Sequence, residues 1–88
     1  MPAEDRQRID RWLWHARLVR TRGAAAALAD AGYVRVNGAR IAAPSRQVRT
    51  GDVITVALDR SVRVLKVRGF AERRGPAGIA QTLYEDLT

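Results

Sequence analysis

The 88-residue sequence predicts an α+β fold, with two N-terminal helices packed on a small, mostly antiparallel sheet and a short C-terminal helix. Three observations predict it. Apolar residues recur at helical spacing from Ile9 to Val19 and lead into an alanine-rich stretch at 24–31. Asn37-Gly38 sits between alternating residues, and two apolar runs, 53–58 and 62–67, are separated by the turn residues Asp59-Arg60-Ser61. A chain this short buries only about 60% of its unfolded surface. It reads as one domain over 1–88, with no repeat and no linker.

Residues 1–5 read as a frayed start. From 6 to 19 the residues Ile9, Trp12, Leu13, Ala16 and Val19 fall on one arc of a helix. Arg8, Arg11 and His15 lie beside that arc as a basic edge, with His15 read as a surface residue. Trp12 lies in the arc and reads as core. Trp14 lies on the other side, and packing under the C-terminal segment is favoured over stacking on a base. Thr21 is a good N-cap for the second helix, the alanines are strong helix formers, and Gly32 suits a left-handed C-cap. The small side chains let that helix approach its neighbours closely.

Next comes the strongest local signal in the chain. Both positions of an Asn-Gly hairpin turn want positive φ, so Tyr33-Val34-Arg35-Val36 and Ala39-Arg40-Ile41 pair across Asn37-Gly38. Pro44 ends the second strand, and 45–49 reads as loop. Gly51-Asp52 turns into a strand at 53–58, and a second strand follows at 62–67. The chain loosens through 72–76. A helix at 77–87 closes it, anchored by Ile79, Leu83 and Leu87.

Charge is unevenly placed. Ten arginines and two acids fall between Arg6 and Arg49 (net +8), while residues 1–5 carry −2 and residues 50–88 carry +1, which together give +7. Fifteen arginines against one lysine, with fifteen alanines, fit a GC-rich genome, but codon bias does not explain the clustering. A one-sided arginine excess suits a polyanion, because each neutralised phosphate releases counterions. The single His and the absence of Cys remove most nucleophiles, general bases and metal ligands. No Gly-rich phosphate loop, metal cluster or carboxylate pair is visible, so the expectation is no catalysis, no cofactor and no metal. The N-terminal residues lack a signal-peptide pattern and no apolar run could span a bilayer, which points to the cytoplasm and away from membranes.

Two constellations place arginines against their own electrostatics. Arg20-Thr21-Arg22 sits at a helix N-terminus, where the peptide dipoles already present positive charge and favour an anion. In the hairpin, Val36 pairs with Ala39 and Arg35 with Arg40. By alternation Val34, Val36 and Ile41 face the core, while Tyr33, Arg35 and Arg40 face out. Like charges opposite each other are destabilising. A bound phosphate, with a base stacked on Tyr33, gives that pair a purpose. Arg8, Arg11 and Arg17, with Arg46 and Arg49, extend the same face, although each alone reads as a solvated charge.

The run Arg8-Ile9-Asp10-Arg11-Trp12-Leu13-Trp14, then Arg17, Arg20-Thr21-Arg22 and Gly32-Tyr33-Val34-Arg35-Val36-Asn37-Gly38, resembles the RNA-binding domain named after ribosomal small-subunit protein four. Ser45-Arg46-Gln47-Val48 and Gly51-Asp52-Val53-Ile54 continue the match over about 8–57, leaving 58–88 as an extension. The Trp-Leu-Trp variant, Arg73-Arg74-Gly75-Pro76-Ala77 and Leu83-Tyr84-Glu85 resemble more narrowly the bacterial fifteen-kilodalton heat-shock protein family. That resemblance implies an alpha-L-type RNA-binding motif and a ribosome-associated role in the stress response. The implied target is ribosomal RNA of the free large subunit carrying a stalled nascent chain on tRNA. The RNA face it implies maps onto Arg8, Arg11, Arg17, Arg20, Thr21, Arg22, Asn37, Gly38, Arg40 and Arg46. Family members often carry a basic tail beyond this point, whereas the last residues here are Glu85-Asp86-Leu87-Thr88.

Two other classes compete with a monomeric, non-catalytic RNA-binding module. One is an RNA-targeting fragment of an RNA-modifying enzyme such as a pseudouridine synthase, which full gene length would decide. The other is a DNA-binding module, with duplex DNA also admissible as a non-specific partner. A hairpin directly after the helices, and a second helix too alanine-rich to read bases, argue against sequence-specific DNA reading.

Overall fold

The computed structural model describes residues 5–88, so all but the last residue of the expected frayed start at 1–5 lies outside the described residues. The first element departs from the helical reading. Arg6–Arg8 is a strand, β1, which pairs antiparallel with β4 at Gln47–Arg49, in a stretch expected to be loop. Three residues are too few to display a period of two, so neither strand announces itself in the sequence.

Helix α1 spans only Ile9–His15, not 6–19. Its start is held by backbone carbonyls: the Ile9 N–H donates to Arg46 O (2.7 Å) and the Asp10 N–H to Pro44 O (3.3 Å). Its end is a left-handed turn at Arg17 (φ 61°), closed by Arg17 N–H to Trp14 O and Leu18 N–H to Leu13 O. That two-bond closure usually carries glycine, so an arginine there hid the helix end. Helix α2, Arg22–Asp30, begins and ends as expected. The Thr21 hydroxyl accepts the Ala24 N–H at 3.0 Å. Gly32 (φ 84°) closes the other end, with Gly32 N–H to Ala29 O and Tyr33 N–H to Leu28 O.

Five antiparallel strands follow: β2 (Val34–Val36), β3 (Ala39–Arg40), β5 (Val53–Ala57), β6 (Val62–Val67) and β7 (Tyr84–Asp86), in the spatial order β3-β2-β5-β6-β7. The Asn37-Gly38 turn has both φ values positive (52° and 83°), and the register pairs Arg35 with Arg40 and Val36 with Ala39 as expected. The C-terminal reading needs correction. Residues 77–87 are not one helix but a turn of helix, α3 (Ala77–Ala80), a 3-10 turn (Gln81–Leu83) and β7. Ile79, Leu83 and Leu87 mimic a helical stripe, yet only Leu83 is buried, while Ile79 and Leu87 are exposed.

One core joins the layers. Ile9, Trp12 and Leu13 of α1 meet Ala25 and Ala29 of α2 over the inner sheet residues Val34, Val36, Ile54, Val56, Leu65 and Val67. Ala25 and Ala29, one turn apart and fully buried, let α2 lie close to its neighbours. Trp12 donates its indole N–H to Gly69 O (3.1 Å) and meets Tyr84 edge-to-face. Truncating it to alanine costs about 3–5 kcal/mol, a large part of the stability of a domain this size. Among the described residues no helix is long and apolar enough to cross a membrane.

Candidate nucleic-acid interface

Asp10 organises the N-terminal arginines. Its carboxylate is almost entirely buried (4% exposed) and accepts a two-pronged contact from Arg8, Nε to Oδ1 at 3.1 Å and Nη2 to Oδ2 at 2.9 Å. Arg22 approaches the same Oδ2 at 3.9 Å, and the Arg11 N–H donates to Oδ1 at 2.7 Å. A carboxylate in the first turn of α1 also complements that helix's dipole. One buried acid thus gathers the end of β1 and the start of α2, leaving two half-exposed guanidinium groups side by side. The planar donor forks keep N–H groups beyond those used on Asp10. Thr21 serves as the helix cap, and Arg20 lies exposed just before it.

The hairpin supplies the second cluster. Arg35 and Arg40 are paired across the two strands on the outer sheet face, and Tyr33 stands exposed on the same side. They line a groove of about 480 Å³ together with Gly32, Thr55 and Val62. Two features of the backbone position favour glycine here. Its φ is left-handed, and a Cβ there would lie 3.3 Å from the Arg40 Cδ. Asn37 is occupied structurally: its amide donates to Asp52 Oδ1 (3.1 Å) and its oxygen accepts the Val53 N–H (2.9 Å), pinning the turn to β5. Gly38 leaves open space around the turn. Arg46 is exposed beside β4 and donates to the Gln47 carbonyl at 3.2 Å.

The basic edge expected on α1 is largely turned inward onto a strap at 69–75. Arg11 donates to Glu72 O (2.7 Å) and Arg17 to Gly75 O (2.8 Å). Arg74 returns the contact, donating to Trp14 O (3.1 Å) and Val19 O (3.3 Å) with its guanidinium 5.9 Å from the Trp14 ring centre. Packing of Trp14 against the C-terminal segment is therefore what the structure shows. His15 is not a surface residue: it is buried, with Nδ1 3.0 Å from Ala71 O. Each of these arginine bonds, to the strap or back from it, ends on a backbone carbonyl, a partner with no sequence signature. Arg11 and Arg17 thus differ in their contacts from Arg8, Arg20, Arg22, Arg35 and Arg40, which stand at the end of β1, at the α2 start and on the hairpin.

Sequence reasoning missed Asp10 as an anchor, although a lone acid among arginines was a usable signal. It also missed Leu58, Asp59 and Arg60, which bring the β5–β6 turn next to Tyr33. A titration shift stands out away from these clusters: Asp86 is held below the ordinary carboxylate range, first by the Thr88 backbone N–H and also by Arg63.

Comparison with known proteins places this geometry. The S4 domain model matches residues 7–54. Heat shock protein 15 of Escherichia coli K12 is 37% identical over 79 residues, covering 90% of this chain and 59% of that protein. Small ribosomal subunit protein uS4 of Azorhizobium caulinodans is 40% identical over 72 residues, covering 80% of this chain and 35% of that one. The trimeric structure of Vibrio cholerae heat shock protein 15 superposes with a TM-score of 0.85 at 34% identity, over 92% of this chain and 81% of its own. The chain thus spans well under two thirds of the Escherichia coli relative's length.

Proposed function

The chain belongs to the S4 domain family, and from that membership we propose that it binds structured RNA without catalysis, through the arginines at the α2 start and on the hairpin. The observation that carries this reading is the Arg35–Arg40 pair. Two exposed arginines stand directly opposite each other on a hairpin whose turn and register fix their backbones as neighbours. Such a pair costs stability in the free protein and is relieved by a phosphate lying over the two side chains on the outer face. Arg8 and Arg22, fixed around Asp10, with Arg20 beside them, offer further phosphate contacts on rigid elements. The chain's single histidine is buried against Ala71 O and so is not placed for proton transfer on this face.

The target in this reading is ribosomal RNA of the free large ribosomal subunit, bound by a monomer in the cytoplasm during rescue or recycling of stalled subunits under stress. Likeness to heat shock protein 15 over 90% of the chain supports the stress setting. Half a dozen phosphate contacts alone give micromolar, promiscuous binding, so selectivity comes from the shape of the folded RNA matched by a rigid two-helix and hairpin face. Duplex DNA then competes only weakly. The test is sedimentation of tagged protein with lysate under conditions that split ribosomes. Enrichment with the large subunit, lost in the Arg20→Ala/Arg22→Ala/Arg40→Ala triple variant, is expected. Equal spread over both subunits and tRNA removes the large-subunit assignment. Sedimentation equilibrium of the RNA-free protein tests the monomer.

A further inference from the structure

Tyr33 is held rigidly by its backbone while its ring is left in solvent. Its N–H donates to Leu28 O (3.0 Å) and its carbonyl accepts the Ala57 N–H (2.9 Å), yet the residue is 57% exposed. The ring borders two grooves. One is the hairpin groove with Arg35 and Arg40. The other, about 790 Å³, runs between α2 and the β5–β6 turn, with apolar walls from Leu18, Val19, Leu28 and Leu58, and with Arg20 and Arg60 in its lining. Asp59 is the sole acid among the residues lining the two grooves, against four arginines.

That combination selects its occupant. An apolar groove beside an exposed aromatic ring on a fixed backbone takes a flat ring, and the arginines require it to carry negative charge. A second copy of this chain brings a net charge of +7 to a surface already rich in arginine, so charge opposes self-docking here. A nucleotide satisfies both demands. In a paired A-form stem the bases are stacked and the major groove is too narrow for side chains, so only an unpaired base reaches the slot.

We propose that the protein clamps one unpaired nucleotide of its RNA, with the base against Tyr33 and Leu58 and the phosphate on Arg35 and Arg40. This rests on the RNA-binding reading above and adds a selectivity to it. Leu58 and Arg60 lie beyond the matched S4 domain residues 7–54, so part of the discrimination sits in this chain's extension.

The test uses the full chain and two RNA hairpins with one stem, perfectly paired or carrying a single-nucleotide bulge, in fluorescence anisotropy at fixed salt. Stacking one base on an aromatic side chain predicts roughly tenfold tighter binding of the bulged RNA. Tyr33→Ala abolishes that preference without lowering the melting temperature, and Tyr33→Phe retains it. Equal binding of both RNAs by the unaltered protein overturns the clamp and leaves RNA binding standing. Failure to bind either RNA at low salt overturns both. If Tyr33→Ala changes the sedimentation of RNA-free protein and the bulge preference persists, the groove joins copies of the chain and the clamp is wrong.

Discussion

Replacing Asp10 by alanine removes a buried carboxylate that three groups approach. The Arg8 fork and the Arg11 N–H lose charge-assisted bonds of 2.7 to 3.1 Å, and Arg22 loses a counter-charge at 3.9 Å. Because the arginine side chains are 46% exposed, water takes over much of what Asp10 gave them. The Arg–Asp contributions therefore fall near the low end, about 1–2 kcal/mol in all. Loss of an acid from the first turn of α1 adds about 0.3–1 kcal/mol. The sum, about 2 kcal/mol, lowers the melting temperature by roughly 8–16 °C for a domain of this size. Asp10→Asn keeps an acceptor for the Arg11 N–H and loses only the charge, so it should fall between the two proteins. Urea unfolding followed by circular dichroism measures both. The loss should persist in about 0.5 M KCl, since a buried carboxylate is poorly screened. A change below about 0.5 kcal/mol, or one that vanishes in salt, would mean that Asp10 is an ordinary surface charge and does not organise the arginines.

Arg35→Ala and Arg40→Ala should each weaken RNA binding by about 1–2 kcal/mol while leaving stability unchanged or raised by about 0.2–1 kcal/mol, because each relieves a cross-strand repulsion. Earlier melting with normal binding would assign them a structural role. Arg20→Ala should behave the same way, whereas Arg22→Ala should also cost some stability through Asp10, so thermal melts separate the two. Gly32→Ala should destabilise by about 1–2 kcal/mol, from a left-handed φ and a tight contact with Arg40, and urea midpoints read it directly. For Asp86 the sign follows from its lowered titration: below the ordinary carboxylate range the unfolded chain binds the proton first. Stability is therefore lost as pH falls below about 4, and Asp86→Asn should flatten that part of the profile.

Legibility in the sequence tracked how local each cause is. The Asn37-Gly38 hairpin, its register and its Arg35–Arg40 pair follow from two residues that need positive φ, so they could be read directly. Thr21, through its hydroxyl bond to the Ala24 N–H, and Gly32, through its positive φ, bounded α2 just as locally. The strap could not be read, because its bonds join residues more than fifty positions apart and end on backbone carbonyls. The α1 end was hidden by an arginine in a glycine-favouring conformation, and β7 by an apolar spacing that suited a helix better than an edge strand. Within the candidate site, side-chain direction was legible from strand parity, but the pairing of Arg8 and Arg22 through Asp10 was tertiary.

Salt dependence of binding to a structured ribosomal RNA fragment tests the central claim most directly. Four to six phosphate contacts predict a log–log slope of affinity against salt of about −3 to −5, with roughly one unit lost for each of Arg20, Arg35 and Arg40 replaced by alanine. A slope near zero, or one these replacements leave unchanged, would contradict a phosphate-binding role for the arginine face.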